Sequence, residues 1–140
     1  MKVYVIRADK TRHYKGYICD LPHLPKDYRE IGEIVEGDIE SRRITNRIVI
    51  HVNANGKGLL LPINRCIYYP ETNTCTEFFV GNIVACRYDS DNVMEDIKES
   101  DIERIEKKLA PCEAARVISV DEGYEVDLTP REFLYDYIEK

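Results

Sequence analysis

A chain of 140 residues that is 44% hydrophobic and 33% charged has the make-up of one folded domain, which excludes an intrinsically disordered segment. No run approaches the roughly 20 apolar residues of a membrane span, and a net charge of −6 disfavours general binding to nucleic acid. That charge is unevenly placed: residues 1–70 hold 12 Lys and Arg against 8 Asp and Glu, and residues 71–140 hold 8 against 18.

Val3 to Ile6 is a β-branched and aromatic run that predicts a strand, with Tyr14 to Cys19 as its hairpin partner. The run is too short for a secretory core and no small-residue cleavage site follows, so a cytoplasmic protein is expected. Asp20 to Pro25 is a proline-bearing loop. Lys26 to Glu36 then places Ile31, Ile34 and Val35 at helical spacing, and Gly37 stands where a helix C-terminal glycine belongs.

The centre reads as a β-meander. Ile39 to Ile44 is a strand with a polar face, and Arg47 to Asn53 alternates, with Ile48, Ile50 and Val52 on one face and Val49, His51 and Asn53 on the other. Asn55-Gly56 is a hairpin signal of the type I′ kind, which makes Gly58 to Pro62 the return strand. Tyr69 to Thr76 is turn-rich. Phe78 to Tyr88 is the most apolar strand, interrupted by Gly81 where a bulge or a close backbone approach is expected.

Ser100 to Leu109 predicts a helix, with Ser100 as cap, Glu103 completing a capping box and Ile102, Ile105 and Leu109 as the buried stripe. Ala115 to Val120 and Tyr124 to Leu128 read as a hairpin. Thr129-Pro130-Arg131-Glu132 opens a last helix. The expected architecture is one α+β domain over residues 1–140, largely antiparallel, with two or three short helices on one face.

Few motifs carry chemistry. Cys19, Cys66, Cys75, Cys86 and Cys112 are odd in number and scattered, which fits free thiols in a reducing compartment. Cys19 and His23 form the only pair near metal-ligand spacing, and Pro22 interrupts it, so no metal and no cofactor are expected. His51 reads as a surface or edge-strand histidine with no nucleophile tied to it, and a Gly-x-Ser-x-Gly elbow is absent. Asn53 to Gly58 holds two glycines and a lysine but lacks the phosphate-loop spacing. Ten tyrosines and no tryptophan either close the core or serve an interface.

Asp89, Asp91, Glu95, Asp96, Glu99, Asp101, Glu103 and Glu106 lie in eighteen positions that hold only Lys98 and Arg104 as cations. They are a solvated loop and helix face, or a surface for a basic partner built to hold nucleic acid. Arg42, Arg43, Arg47, Lys57 and Arg65 form an alternative, basic ligand-binding set.

Gly37-Asp38-Ile39-Glu40, Val52-Asn53-Ala54-Asn55-Gly56-Lys57, Leu61-Pro62-Ile63-Asn64-Arg65, Gly81 and Ser100-Asp101-Ile102-Glu103-Arg104-Ile105 occur in this order. Together they resemble the domain-of-unknown-function family numbered 3846, over about residues 30–106. The N-terminal hairpin and the C-terminal strand-strand-helix lie outside that span. The resemblance implies a shared fold and a setting on phages, plasmids and conjugative elements, with no catalytic residue to carry over. The expected function is a non-enzymatic inhibitor that binds a basic, nucleic-acid-handling host defence protein of the CRISPR or restriction type. The alternative is a small-ligand or nucleotide-binding accessory module. A small hydrolase or nuclease using clustered carboxylates is a third reading, without a motif behind it.

Overall fold

A computed structural model describes residues 1–9, 14–72 and 74–111, together with the backbone of 116–119 and 123–125. The expected last helix, as well as His13 and Cys112, lie outside the described residues.

Strand β1 (Lys2–Ile6) pairs antiparallel with β2 (Tyr17–Asp20), Lys2 opposite Asp20 and Val5 opposite Tyr17. Helix α1 (Arg29–Val35) follows the proline loop. Next come β3 (Ile39–Arg43), β4 (Ile48–Asn53), β5 (Ile63–Tyr69), β6 (Thr74–Val80), β7 (Ile83–Tyr88) and the short β8 (Met94–Glu95). Helix α2 (Glu99–Lys108) runs directly into β9 (Leu109–Pro111), and β10 (Arg116–Ser119) pairs antiparallel with β11 (Gly123–Glu125), as the sequence led us to expect. The class is α+β with antiparallel sheets.

One sheet has the order β2-β1-β7-β4-β3, with β8 added to β7, and a second has the order β6-β5-β9. Alternation along β1 and β7 gives the first sheet two apolar faces. Val3, Val5, Val84 and Cys86 pack with Ile31 and Val35 of α1. Tyr4, Ile6, Ile83 and Ala85 pack on the other face with Ile105 of α2 and with Ile67 and Phe79 of the second sheet. The two helices therefore cover opposite faces, which corrects the expectation that they share one. A sheet apolar on both sides must be covered on both.

Consecutive pairing, the mark of a meander, holds for β3–β4 and β5–β6 and fails between β4 and β5. Both edges of β4 are already taken, by β3 and by β7. Asn55-Gly56 is accordingly not a hairpin turn, and Gly58 to Pro62 is not a return strand. Residues 54–60 form successive turns, with Gly56 N–H on the Asn53 carbonyl at 3.1 Å and Leu61 N–H on the Gly56 carbonyl at 3.0 Å. The chain then leaves for the second sheet.

The expected Phe78 to Tyr88 strand is two strands in two sheets, broken at Gly81. This residue has φ +73°, donates to the Pro62 carbonyl at 2.7 Å, and would bring a Cβ within 2.9 Å of Leu61 Cδ1. The close approach read from that glycine is what turns the corner.

Helix boundaries move by a few residues. At the end of α1 the left-handed cap is Glu36, φ 65°, not Gly37. Gly37 is needed for room, because a Cβ there would lie 2.7 Å from Asn53 Nδ2. That amide donates to the Val35 and Glu36 carbonyls at 3.1 and 3.2 Å, so β4 supplies the cap of α1. Helix α2 starts before Ser100, and Asp101, not Glu103, accepts the Lys98 N–H at 2.9 Å in the capping-box position. Ile105 and Leu109 are buried and Ile102 packs beside them, as the stripe required.

Candidate functional site

A cleft of about 270 Å³ separates the β3–β4 wall of the first sheet from β6 of the second. Alternation along β3 turns Arg42 toward this cleft and Arg43 to the opposite face, so the two adjacent arginines cannot act on one ligand. Arg42 meets Glu77 of β6 across the cleft, its Nε donating to the two carboxylate oxygens at 3.3 and 3.2 Å. Glu77 is the extra residue of a bulge, between Phe78 opposite Cys66 and Thr76 opposite Ile67, and its φ is +36°. A bulge with a left-handed non-glycine residue re-aims a side chain at a cost in backbone energy. Here the side chain is re-aimed at Arg42. Lys57, delivered by the turns after β4, places its ammonium 4.3 Å from the centre of the Phe78 ring. Arg42, Lys57 and the Phe78 ring thus converge at the cleft with two carboxylates, Glu77 paired to Arg42 and Glu40 on the β3 wall.

The rest of the basic set is dispersed. Arg65 is fully buried, with its guanidinium on the Glu106 carboxylate, the Leu109 carbonyl and the Tyr14 carbonyl at 3.0, 2.8 and 2.6 Å. Arg43 donates to the Asn46 carbonyl and to Asn92 Oδ1 at 2.9 and 3.1 Å. Arg47 lies in the β3–β4 connection and accepts the Tyr88 N–H on its carbonyl at 2.8 Å.

The acidic stretch is divided between internal and outward-facing carboxylates. Asp101, buried, meets Arg87 at 2.6 Å, and Glu95 meets the same guanidinium at 2.8 Å. Those partners hold the Arg87 guanidinium above its ordinary pKa, with the Glu95 hydrogen bond as the largest cause. Glu106 is committed to Arg65. Asp89 Oδ1 accepts the Asp91 and Val93 N–H groups at 2.8 and 2.9 Å, which shapes the loop before β8. Asp96 is exposed and accepts the Lys2 N–H at 2.8 Å. Asp91, Glu99 and Glu103 are exposed with no ion pair to another described residue.

On the face opposite the cleft lies a more open groove of about 490 Å³, lined by Tyr28, Ile39, Arg43, Val49, His51 and Tyr88 among others. His51 is only 4% exposed, which corrects its reading as a surface or edge-strand histidine. Register explains it: Ser41 stands opposite His51, and its hydroxyl lies 2.7 Å from Nδ1. Nε2 lies 3.5 Å from the Tyr88 hydroxyl, which lies 3.4 Å from the Tyr28 hydroxyl. The Tyr28 ring stands edge-on to the imidazole at 5.9 Å. Burial lowers the His51 pKa to about 4, so the ring is neutral at pH 7. Burial, followed by the Tyr28 contact, raises that of Tyr88. Sequence reasoning missed this cluster. Its one local signal was the polar residues Ser41 and His51 on successive strands, which become a pair only once the β3–β4 register is known.

Cys19 and His23 do not form a metal pair. Cys19 packs against the α1 cluster, and His23 Nδ1 lies 2.6 Å from Glu30. Among the described residues no three His, Cys, Asp or Glu side chains are placed to hold a metal ion, and no helix is long and apolar enough to cross a membrane.

The motif asparagines and glycines are structural. Asn53 closes α1, Asn64 donates to the Ile6 and Gly81 carbonyls at 2.9 and 3.0 Å, and Gly81 turns the corner between the sheets. They explain a recurrent fold and leave the chemistry to other positions. Comparison with protein families matches residues 1–110 to the domain of unknown function DUF3846. No curated protein and no solved structure matches the chain.

Proposed function

The chain belongs to the DUF3846 family, and from that premise we propose a non-catalytic binding module whose inter-sheet cleft takes a phosphate-bearing small molecule of the nucleotide class. The observation that carries this reading is that Arg42 and Lys57 line one cleft beside Phe78, with Glu77 the carboxylate that pairs with Arg42 among the described residues. Both members of that pair are more than 40% exposed, at 47% and 42%, and pairs of that kind contribute only about 0–1 kcal/mol. A phosphate offers the guanidinium a charge-assisted, two-pronged contact of greater strength. Displacement of Glu77 is therefore downhill for an anion of sufficient charge.

Thermal-shift and calorimetric titration with AMP, ADP, ATP and inorganic phosphate tests the reading, since a ligand bound only by the folded state raises its stability. Arg42→Ala and Lys57→Ala should each weaken binding, and Glu77→Gln should strengthen it by removing the internal competitor. If none of the four anions stabilises the protein, the reading fails.

A second reading rests on the outward carboxylates Asp91, Asp96, Glu99 and Glu103, which are exposed. They support a cytoplasmic protein of a phage or plasmid that binds and inhibits a basic, nucleic-acid-handling defence protein of the host. Pull-down from a bacterial lysate with a salt series tests it. Asp91→Lys and Glu103→Lys together should abolish capture and leave the melting temperature nearly unchanged, because neither side chain pairs with another described residue or lies in the first turn of α2.

A further inference from the structure

We infer that the groove over His51 is a second binding site, for a neutral, planar, hydrogen-bonding ring of the nucleobase or nucleoside class. It lies across β3 from the phosphate cleft, Arg42 lining the cleft and Arg43 the groove, with Ser41 bordering both.

The floor of the groove is a chain of polar atoms that is held at one end and loose at the other. Ser41 fixes the imidazole at 2.7 Å, a full-strength hydrogen bond. The next two links, His51 Nε2 to the Tyr88 hydroxyl and on to the Tyr28 hydroxyl, measure 3.5 and 3.4 Å. Ordinary bonds of these types measure about 2.7–3.0 Å. Three groups that can each donate or accept, depending on tautomer and hydroxyl rotation, therefore follow one another with capacity in reserve. A ring that presents alternating donors and acceptors on one edge fits such a row.

The walls complete the match. Ile39 and Val49 supply apolar sides, and the Tyr28 ring, 40% exposed, supplies an aromatic one. A volume of about 490 Å³ falls in the range of small-molecule sites, about 300–1,000 Å³. The guanidinium on the lining is already hydrogen-bonded in the ligand's absence. Arg43, the one charged side chain of the lining, already gives hydrogen bonds to Asn46 and Asn92 at the rim. An uncharged heterocycle thus meets its polar floor without having to displace those bonds.

Calorimetric titration with adenosine, guanosine, cytidine and uridine tests the site, with Tyr88→Phe and Tyr28→Ala as variants and Arg42→Ala as the control on the other face. At least one nucleoside should bind saturably. Each tyrosine variant should weaken it about tenfold, the worth of one hydrogen bond of ordinary strength, while Arg42→Ala leaves it unchanged. Absence of saturable binding by all four overturns the proposal. So does unchanged affinity in either tyrosine variant, or an equal loss in Arg42→Ala, which would place the ligand in the other cleft. Should Tyr88→Phe not fold, the exposed Tyr28→Ala decides alone.

Discussion

The guanidinium of Arg65, with no solvent exposure, lies 3.0 Å from one oxygen of Glu106, whose other oxygen accepts the Tyr4 hydroxyl at 2.5 Å. This pair joins the second sheet to α2, and through Tyr4 to the first sheet. Burial, and then the carboxylate itself, pushes the Tyr4 pKa up, so its hydroxyl remains a donor at any physiological pH. A charge so placed is costly once its partner is removed.

Glu106→Ala is accordingly expected to destabilise the protein by about 3–5 kcal/mol, the loss typical of breaking a buried pair from one side. Glu106→Gln should lose less, because its amide carbonyl still accepts from Arg65. Urea denaturation reads both. A Glu106→Ala midpoint equal to the parent's would mean that the Arg65 charge is solvated.

The division of the acidic stretch gives a contrast between neighbours. Asp101→Ala removes a buried partner of Arg87 and the acceptor of the Lys98 N–H, and should cost about 3 kcal/mol or more. Glu103→Ala, two residues on and exposed, should stay within about 0.5 kcal/mol. Equal effects in a denaturant series would erase the distinction between internal and outward carboxylates.

Asn53→Ala deletes two bonds to the end of α1 and the acceptor of the Asn55 N–H at 2.8 Å. A loss of about 1–3 kcal/mol is expected, the cost of leaving buried groups unsatisfied. Amide exchange should quicken at Gly37 and Asn55, on either side of the missing side chain. Exchange confined to one of them would mean that the asparagine does not link the helix to the turn.

The pH dependence follows from His51. Its pKa is about 4 folded against an ordinary 6.5, so between these values the unfolded chain binds the extra proton. Stability from this group is fully present above pH 6.5 and is lost as the pH falls toward 4, with a total of about 3 kcal/mol. His51→Asn should flatten the slope of stability against pH in that window. An unchanged slope would assign the acid sensitivity to other groups.

Much of the fold was legible from local pattern. The alternation of Val3 to Ile6 and of Arg47 to Asn53, and the stripe of α2, hold because periods of 2 and 3.6 residues are set by backbone geometry. Gly81 announced a close approach for a reason equally local. Asn55-Gly56 misled because a hairpin turn needs a strand edge to return to, and β3 and β7 occupy both edges of β4. The candidate sites were half legible. Arg42 and Lys57 stood among the basic positions, but nothing local marked Arg65 as buried or His51 as the floor of a groove.

From the sequence alone came the domain class, the faces of the strands, the antiparallel character and the sign of the charge in each half. Tertiary structure decided which carboxylates are spent inside, which arginine faces the cleft's Glu77, and that a cleft and a groove flank β3. The reason is range. Patterning acts over a few residues, whereas Tyr4 and Glu106 meet across 102 positions and Arg42 and Glu77 across 35. A charge is internal or outward only according to what the fold brings within a few ångströms of it.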